Sequence, residues 1–168
     1  MSPSAATKCW ATSISASPGP PPRCPPLPSN HRAYTASEEI GFSTDANPET
    51  KWCVIHDGRP IQWQVEASQP MPLARYSFTS ANDMPARDPR TWKLEASADG
   101  KNWTVLDERQ DQPAFAERHQ TREFTLATPA TARYFRFTFM PNPGVEHFQV
   151  AEIALAGVTV SPRTPRPP

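Results

Sequence analysis

The hexapeptide Asp45–Thr50 (DANPET) gathers oxygen donors of several kinds within one turn. It offers the Asp45 carboxylate, the Asn47 amide and the Thr50 hydroxyl, together with main-chain carbonyls. Calcium takes roughly six to eight oxygens, several of them neutral, from a loop able to curl. The same side chains also make Asx-turn hydrogen bonds to their own backbone. A cation loop and a self-bonded loop therefore both stand as readings. Further on, Glu152 interrupts the apolar run VAEIAL. A buried carboxylate there is costly unless it is paired, and an arginine is one possible partner.

A second group of reactive residue types lies in polar segments between apolar runs: HDGRP (56–60), ANDMPARDPR (81–90), QDQPAFAERHQ (110–120) and PNPGVEHF (141–148). Saccharides are held by planar polar groups that satisfy neighbouring hydroxyls in pairs, and by an aromatic face for the C–H patch. His56, Asp57, Arg59, Asn82, Arg87, His119 and Phe148 are the candidates of that type. Several of the polar candidates have a plainer reading. Arg87-Asp88-Pro89 suits an ion pair that braces a loop, His56-Asp57-Gly58 suits a turn, and Arg118-His119 suits a solvated surface. Trp52 and Trp63 read as core. A catalytic reading finds little support. No GxSxG elbow, HExxH or P-loop is present, and no carboxylate pair stands out for glycoside hydrolysis.

The elements that must position these loops show period-two alternation. IQWQVE (61–66) places Ile61, Trp63 and Val65 on one face, and LARYSFT (73–79) places Ala74, Tyr76 and Phe78. TWKLEAS (91–97) sets Trp92, Leu94 and Ala96 against Lys93 and Glu95. NWTVLD (102–107) offers Trp103 and Val105 to the core, and TREFTLA (121–127) offers Phe124 and Leu126. RYFRFTF (133–139) aligns Phe135, Phe137 and Phe139, and QVAEIALA (149–156) aligns Ala151, Ile153 and Leu155. This pattern marks strands buried on one face. Seven such runs separated by turn signals predict an all-β jelly-roll sandwich. Asp99-Gly100 predicts a hairpin turn that brings Trp92 and Trp103 together. At 115–120, FAERHQ has room for one helical turn.

Composition limits the rest. Lys plus Arg equals Asp plus Glu at 17 each. A neutral chain has no field to hold a nucleic-acid backbone or an anionic membrane. No apolar run is long enough to span a bilayer. Residues 1–32 and 161–168 are rich in proline and read as disordered tails, leaving 33–160 as one module. The first tail has no clear signal peptide. The three cysteines, Cys9, Cys24 and Cys53, form no CxxC or zinc pattern. Cys53 reads as a buried small hydrophobe.

Several segments resemble discoidin (coagulation-factor type C) domains and the carbohydrate-binding modules of family 32. SADGKNWTVL is similar to the family's S-x-DG-x-x-W hairpin, ARYFRFTF to its penultimate strand and VAEIALAG to its closing strand. TDANPETKW resembles a DGNPxTxW loop, with Ala46 where glycine is commoner. TKWCVIHDGRPIQWQV, SANDMPARDPRTWKLEAS and FAERHQTREF resemble modules attached to glycoside hydrolases such as the family 92 mannosidases. The resemblance runs from Thr35 to Gly157. It implies a galactose-binding-like β-sandwich without catalytic machinery, with a ligand site on the loops at one end. It also implies one structural Ca²⁺ held by Asp45, Asn47, Thr50, the Phe42 carbonyl and Glu152. The expected partners are a glycan or glycoconjugate and other domains of a glycoside hydrolase. A secreted or cell-surface monomer is expected. A discoidin-like module for protein interaction, without sugar binding, is the alternative.

Overall fold

The computed structural model describes residues 26–158. Residues 1–25 of the first expected tail (1–32), with Cys9 and Cys24, and the whole of the second (161–168) lie outside those residues. Seven strands run in order: β1 (Trp52–Ile55), β2 (Ile61–Thr79), β3 (Thr91–Ser97), β4 (Thr104–Arg109), β5 (Thr121–Met140), β6 (His147–Val150) and β7 (Glu152–Leu155). Short 3-10 turns cover Ile40–Thr44 and Pro85–Arg87. Among the described residues no helix is long and apolar enough to cross a membrane. FAERHQ forms no helical turn of its own.

The architecture turns on one ribbon. β2 and β5 pair antiparallel almost end to end, with Ile61 opposite Phe139 and Thr79 opposite Thr121. The register breaks between Glu66 and Met71 and again between Leu73 and Arg75. Prolines 70, 72 and 129 lie around these breaks, where a missing N–H is tolerated. β3 pairs with the Tyr134–Met140 half of β5, and β4 flanks β3. β7 pairs with the Tyr76–Thr79 half of β2.

Aromatic contacts show that the two halves face each other. Phe78 lies opposite Arg122, whereas Phe137 lies opposite Trp63, so the two rungs are 78 − 63 = 15 residues apart along β2. In a straight ribbon that separation is about 50 Å. The ring centroids are 5.1 Å apart. The ribbon therefore folds over at its bulges, and its two halves form the two layers of a β-sandwich. Trp63, Tyr76, Phe78, Trp92, Phe124, Phe135, Phe137 and Phe139 fill the space between them.

Within this core the polar edges of the aromatics are satisfied. Trp92 Nε1 donates to the Tyr76 hydroxyl (2.8 Å), which donates to Asp107 Oδ2 (2.7 Å). Arg109 Nε donates to the same carboxylate. Trp63 Nε1 donates to Ser43 Oγ at 2.9 Å.

The strand partition differs from the alternation pattern. The runs at 61–66 and 73–79 are one bent strand, as are 121–127 and 133–139. The closing run divides at Ala151 into β6 and β7. β1 carries no alternation because Trp52, Cys53 and Val54 are all buried. The bulge in β2 turns Ala74 outward and buries Leu73 instead. β4 also departs from expectation. Val105 is half exposed, and Trp92 pairs with Arg109 while Ala96 pairs with Thr104, so Trp103 lies at the other end of the hairpin from Trp92. A register shift in the β3–β4 pair, between Leu94 and Glu95, re-aims these side chains. Trp103 instead packs on the outer face, where the Arg136 guanidinium lies 4.0 Å from its ring centroid. Arg136 and Lys93 hold the buried Glu95 there.

Residues 26–32, assigned by composition to the tail, lie against the sandwich. Pro26 bridges Val65, and Leu27 N donates to Gln64 O at 2.7 Å. Asn30 Nδ2 donates to Pro60 O, and Asn30 Oδ1 accepts from Gln62 N. They cover the outer edge of β2, a position that accepts proline.

Replacing Tyr76 by phenylalanine leaves the buried Trp92 N–H without its acceptor. Stability to urea is expected to fall by about 1–3 kcal/mol. Equilibrium unfolding followed by tryptophan fluorescence measures it, and an unchanged midpoint contradicts the bonded chain.

Candidate functional site

Folding the ribbon over brings distant loops together. The ends of β2 at Ile61 and Thr79, the starts of β3 and β5, and the ends of β4 and β5 all reach the same end of the sandwich. Segments 56–60, 80–90, 110–120 and 141–146 therefore share that end. The β1–β6 ribbon runs along it, since β6 leads from the end of β5 to β7, and it brings 45–51 alongside.

These loops are cross-tied by buried polar groups. The Asp88 carboxylate is fully buried and receives both Arg118 terminal nitrogens, at 3.1 and 2.6 Å. Burial holds its pKa above the ordinary carboxylate value, against the pull of Arg118. Arg118 also donates to the Ala81 and Asp83 carbonyls. Asn142 Nδ2 donates to the Ala86 and Asp88 carbonyls, and Gln149 Nε2 to those of Asp83 and Met84. Lys51 Nζ donates to Asp83 Oδ1 at 2.8 Å and to Gln149 Oε1 at 3.2 Å. The ion pair expected at Arg87-Asp88 is thus made by Arg118.

Asp45 and Glu152 meet at one corner. The 3-10 turn containing Phe42 ends at Asp45 and packs on β7, which carries Glu152. Asp45 Oδ1 accepts from Asn47 N (2.9 Å), and Asp45 Oδ2 accepts from the Thr50 hydroxyl (2.7 Å). Glu152 Oε1 accepts from the same Asn47 N at 3.0 Å. Burial pushes the Glu152 carboxyl up to about 8, and the neighbouring Asp45 adds to the shift. Its side-chain partner is Asp45, not an arginine. The Asx bonds expected of a self-bonded loop are present too, with Asn47 Oδ1 accepting from Glu49 N. Among the described residues no group of three or more His, Cys, Asp or Glu is placed to hold a metal. A cation at this corner would have two carboxylates, with neutral oxygens completing its shell. Two carboxylates in contact within a half-buried corner, with a threonine hydroxyl beside them, suit a hard dication.

The candidate ligand residues separate into two clusters and one outlier. Asn82 is exposed and Arg87 half-buried on the 81–90 loop. His119 lies beside that loop, next to Arg118, with Nδ1 at 2.8 Å from the Pro48 carbonyl. His56, Asp57 and Arg59 form the β1–β2 turn. Arg59 Nε reaches Asp57 Oδ2 at 2.7 Å, and the Gly58 N–H donates to His56 Nδ1 at 3.2 Å. The Arg59 N–H and guanidinium draw the Asp57 carboxyl down to about 2. Burial, then His31 and His147, lower the His56 pKa.

Phe148, expected as the aromatic face of a site, is a core residue. It packs 4.7 Å from Phe139 and 5.5 Å from Trp52. Cys53 is free and fully buried, and burial raises its thiol to about 11. It is no nucleophile at neutral pH.

The alternation missed Arg118 with Asp88, Lys51 with Gln149, and the group of Tyr34, His31 and His147. Arg118 lay in the segment read as solvated surface. Tyr34 and His31 sit at the edge of the proline-rich segment, where composition hides them.

A family model described as F5/8 type C domain matches residues 28–153. The chain belongs to that family. It is similar to the peptide-N(4)-(N-acetyl-β-glucosaminyl)asparagine amidase of Arabidopsis thaliana, 38% identical over 100 residues. That match takes in 57% of the chain but only 14% of the curated relative's length. In structure it is similar to a family 32 module of Clostridium perfringens, CpGH89CBM32-5, solved in complex with GalNAc-β-1,3-galactose. The TM-score is 0.65 at 12% identity, covering 79% of this chain and 94% of that one. A second C. perfringens family 32 module, from NanJ and solved with galactose, gives a TM-score of 0.60 at 15% identity, covering 76% and 90%. These likenesses agree with the galactose-binding-like sandwich built above.

Replacing Arg118 by methionine strands the Asp88 carboxylate inside the loop end. A loss of about 3–5 kcal/mol is expected, measured by urea unfolding. The double change Arg118→Met with Asp88→Leu should recover part of it. A single variant as stable as the parent contradicts the tie.

Proposed function

We propose that this chain is a non-catalytic carbohydrate-binding module that carries a structural calcium ion. The observation that supports the first part is the tied loop end. Buried ion pairs and side-chain-to-carbonyl bonds fix the backbone, while His56, Asp57, Arg59, Asn82, Arg87 and His119 stay at or near the surface. Such planar polar groups on rigid supports suit saccharide hydroxyls. Two solved modules of the same fold hold galactose or GalNAc-β-1,3-galactose. A shallow site of this kind gains from tethering, which raises its effective concentration at a glycan beside a catalytic domain. A monomer in a secreted or cell-surface setting fits that use.

A glycan array spanning galactosides, N-acetylhexosamines and mannosides tests the reading. Specific retention of one sugar class, with no turnover of aryl glycosides, is expected. An array without any retained sugar overturns it. Capture of a protein partner by the same preparation would then favour the protein-interaction module.

The calcium reading rests on the meeting of Asp45, Thr50 and Glu152. These three residues would hold the ion, with Asn47 and the Phe42 carbonyl as further oxygens. The ion would neutralise the facing carboxylates and pin the first loop to the last strand. Millimolar Ca²⁺ is expected to raise the melting temperature by about 3–8 °C over EGTA. Asp45→Ala should remove that difference. Equal melting in Ca²⁺ and EGTA for the unchanged protein overturns the assignment.

A further inference from the structure

The two polar clusters on the loop end differ in their aromatic surface. A pyranose presents a C–H face as well as hydroxyls, and an exposed ring on a rigid support is the natural partner for that face. Phe148 is buried and unavailable. Tyr34, 51% exposed, is the aromatic residue left open among the described residues.

Tyr34 is held firmly. Its N–H donates to Cys53 O at 2.8 Å, and Ala33 bridges Val54. Its ring packs edge-to-face on His147, with centroids 4.8 Å apart and planes at 89°. His147 lies across the β1–β6 ribbon from Ile55, which is 50% exposed. The solvent side of this ribbon thus carries Tyr34 and Ile55 as apolar surface, with an imidazole between them.

The polar half of the site adjoins it. The His56 N–H donates to the Glu146 carbonyl, joining the 56–60 turn to the start of β6. Because His56 Nδ1 accepts from Gly58 N, neutral His56 carries its proton on Nε2. His56 Nε2 and His147 Nε2 are both buried, so neither ring nitrogen is open to a ligand. The two imidazoles border the surface, and their signals report on a ligand there without bonding it. The His31 ring nitrogens face Asn30 Oδ1 and Asp57 Oδ1. The exposed Asp57–Arg59 pair forms the rim. On the other cluster, His119 is engaged with Pro48, and Met84 supplies the exposed apolar surface.

We infer that the saccharide sits on the β1–β6 ribbon, with Tyr34 under the pyranose ring and the exposed Asp57–Arg59 pair as hydroxyl partners, while Asn82, Arg87 and His119 lie outside the contact. This rests on the carbohydrate-binding reading and names its site. The chain has four histidines, so their ring signals can be followed singly by NMR in the full chain. The probes are galactose, N,N′-diacetylchitobiose and any saccharide retained on the array. Saturable shifts at His56 and His147 with His119 still are expected. Tyr34→Ala should weaken binding about tenfold or more, and Tyr34→Phe should keep it within about threefold. Saturable shifts at His119 with His56 and His147 still overturn the placement, as does undiminished binding by Tyr34→Ala. Both outcomes leave the carbohydrate reading standing. No binding of any probe by the unchanged protein overturns both.

Discussion

The β2–β5 ribbon must double back on itself, and nearly everything else in the molecule follows from that. A long antiparallel pair with aromatic side chains on one face cannot bury them while straight. The register breaks at Glu66–Met71 and Leu73–Arg75 let it fold. Tyr76 and Phe78 then close on Trp92, Phe137 and Phe139. The apolar surface so removed from water is the main force holding the two layers together. The fold-over also returns Thr79 and Thr121 to the end where Ile61, Thr91 and Met140 begin or finish. The clustering of loops is thus a consequence of packing and needs no separate explanation.

Clustered loops carry backbone groups that the sheets do not satisfy. Here long polar side chains reach in and bond them. Arg118 takes the Ala81 and Asp83 carbonyls and the buried Asp88, Gln149 shares the Asp83 carbonyl and takes that of Met84, and Asn142 takes those of Ala86 and Asp88. Each such group would be costly to bury alone, and together they leave few open main-chain positions on the 81–88 loop. A binding surface built on this support loses little further freedom when a ligand arrives.

The alternation in the sequence carried the layers and most of the core, because period-two burial is a local property. It did not carry the fold-over, since bulges and long-range aromatic contacts depend on which strands pair. Val105 and Trp103 illustrate the limit. Both follow a perfect alternation, yet the register shift in the β3–β4 pair overrides it. Phe148 and Tyr34 exchange roles for a related reason. Phe148 follows a polar loop and reads as exposed, but β6 turns it onto Phe139. Tyr34 follows a proline-rich segment and escapes notice, but the bridge at Ala33–Val54 sets it on the surface. The Asp45–Glu152 pairing entered through resemblance, because no local pattern joins residues so far apart. Arg118 paired with Asp88 was beyond reach for the same reason.

The corner at Asp45 links the loop end to the chain's own topology. Asn47 N–H is shared by two carboxylates, one from its own loop and one from β7, 105 residues away. Closing so long a loop costs only slightly more than closing a short one, so a single strong tie there is an efficient constraint. Two facing carboxylates are a poor tie while both are charged and a good one when a proton or a cation lies between them. At the end of the same loop Lys51 reaches Asp83 and Gln149, and Pro48 meets His119. Whatever neutralises Asp45 and Glu152 therefore also steadies the 81–90 loop and its neighbour. The Tyr34 surface is fixed separately, by main-chain bonds to β1. A ligand on Tyr34 should then depend little on a cation at that corner, whereas one over Asn82 and His119 should depend on it strongly.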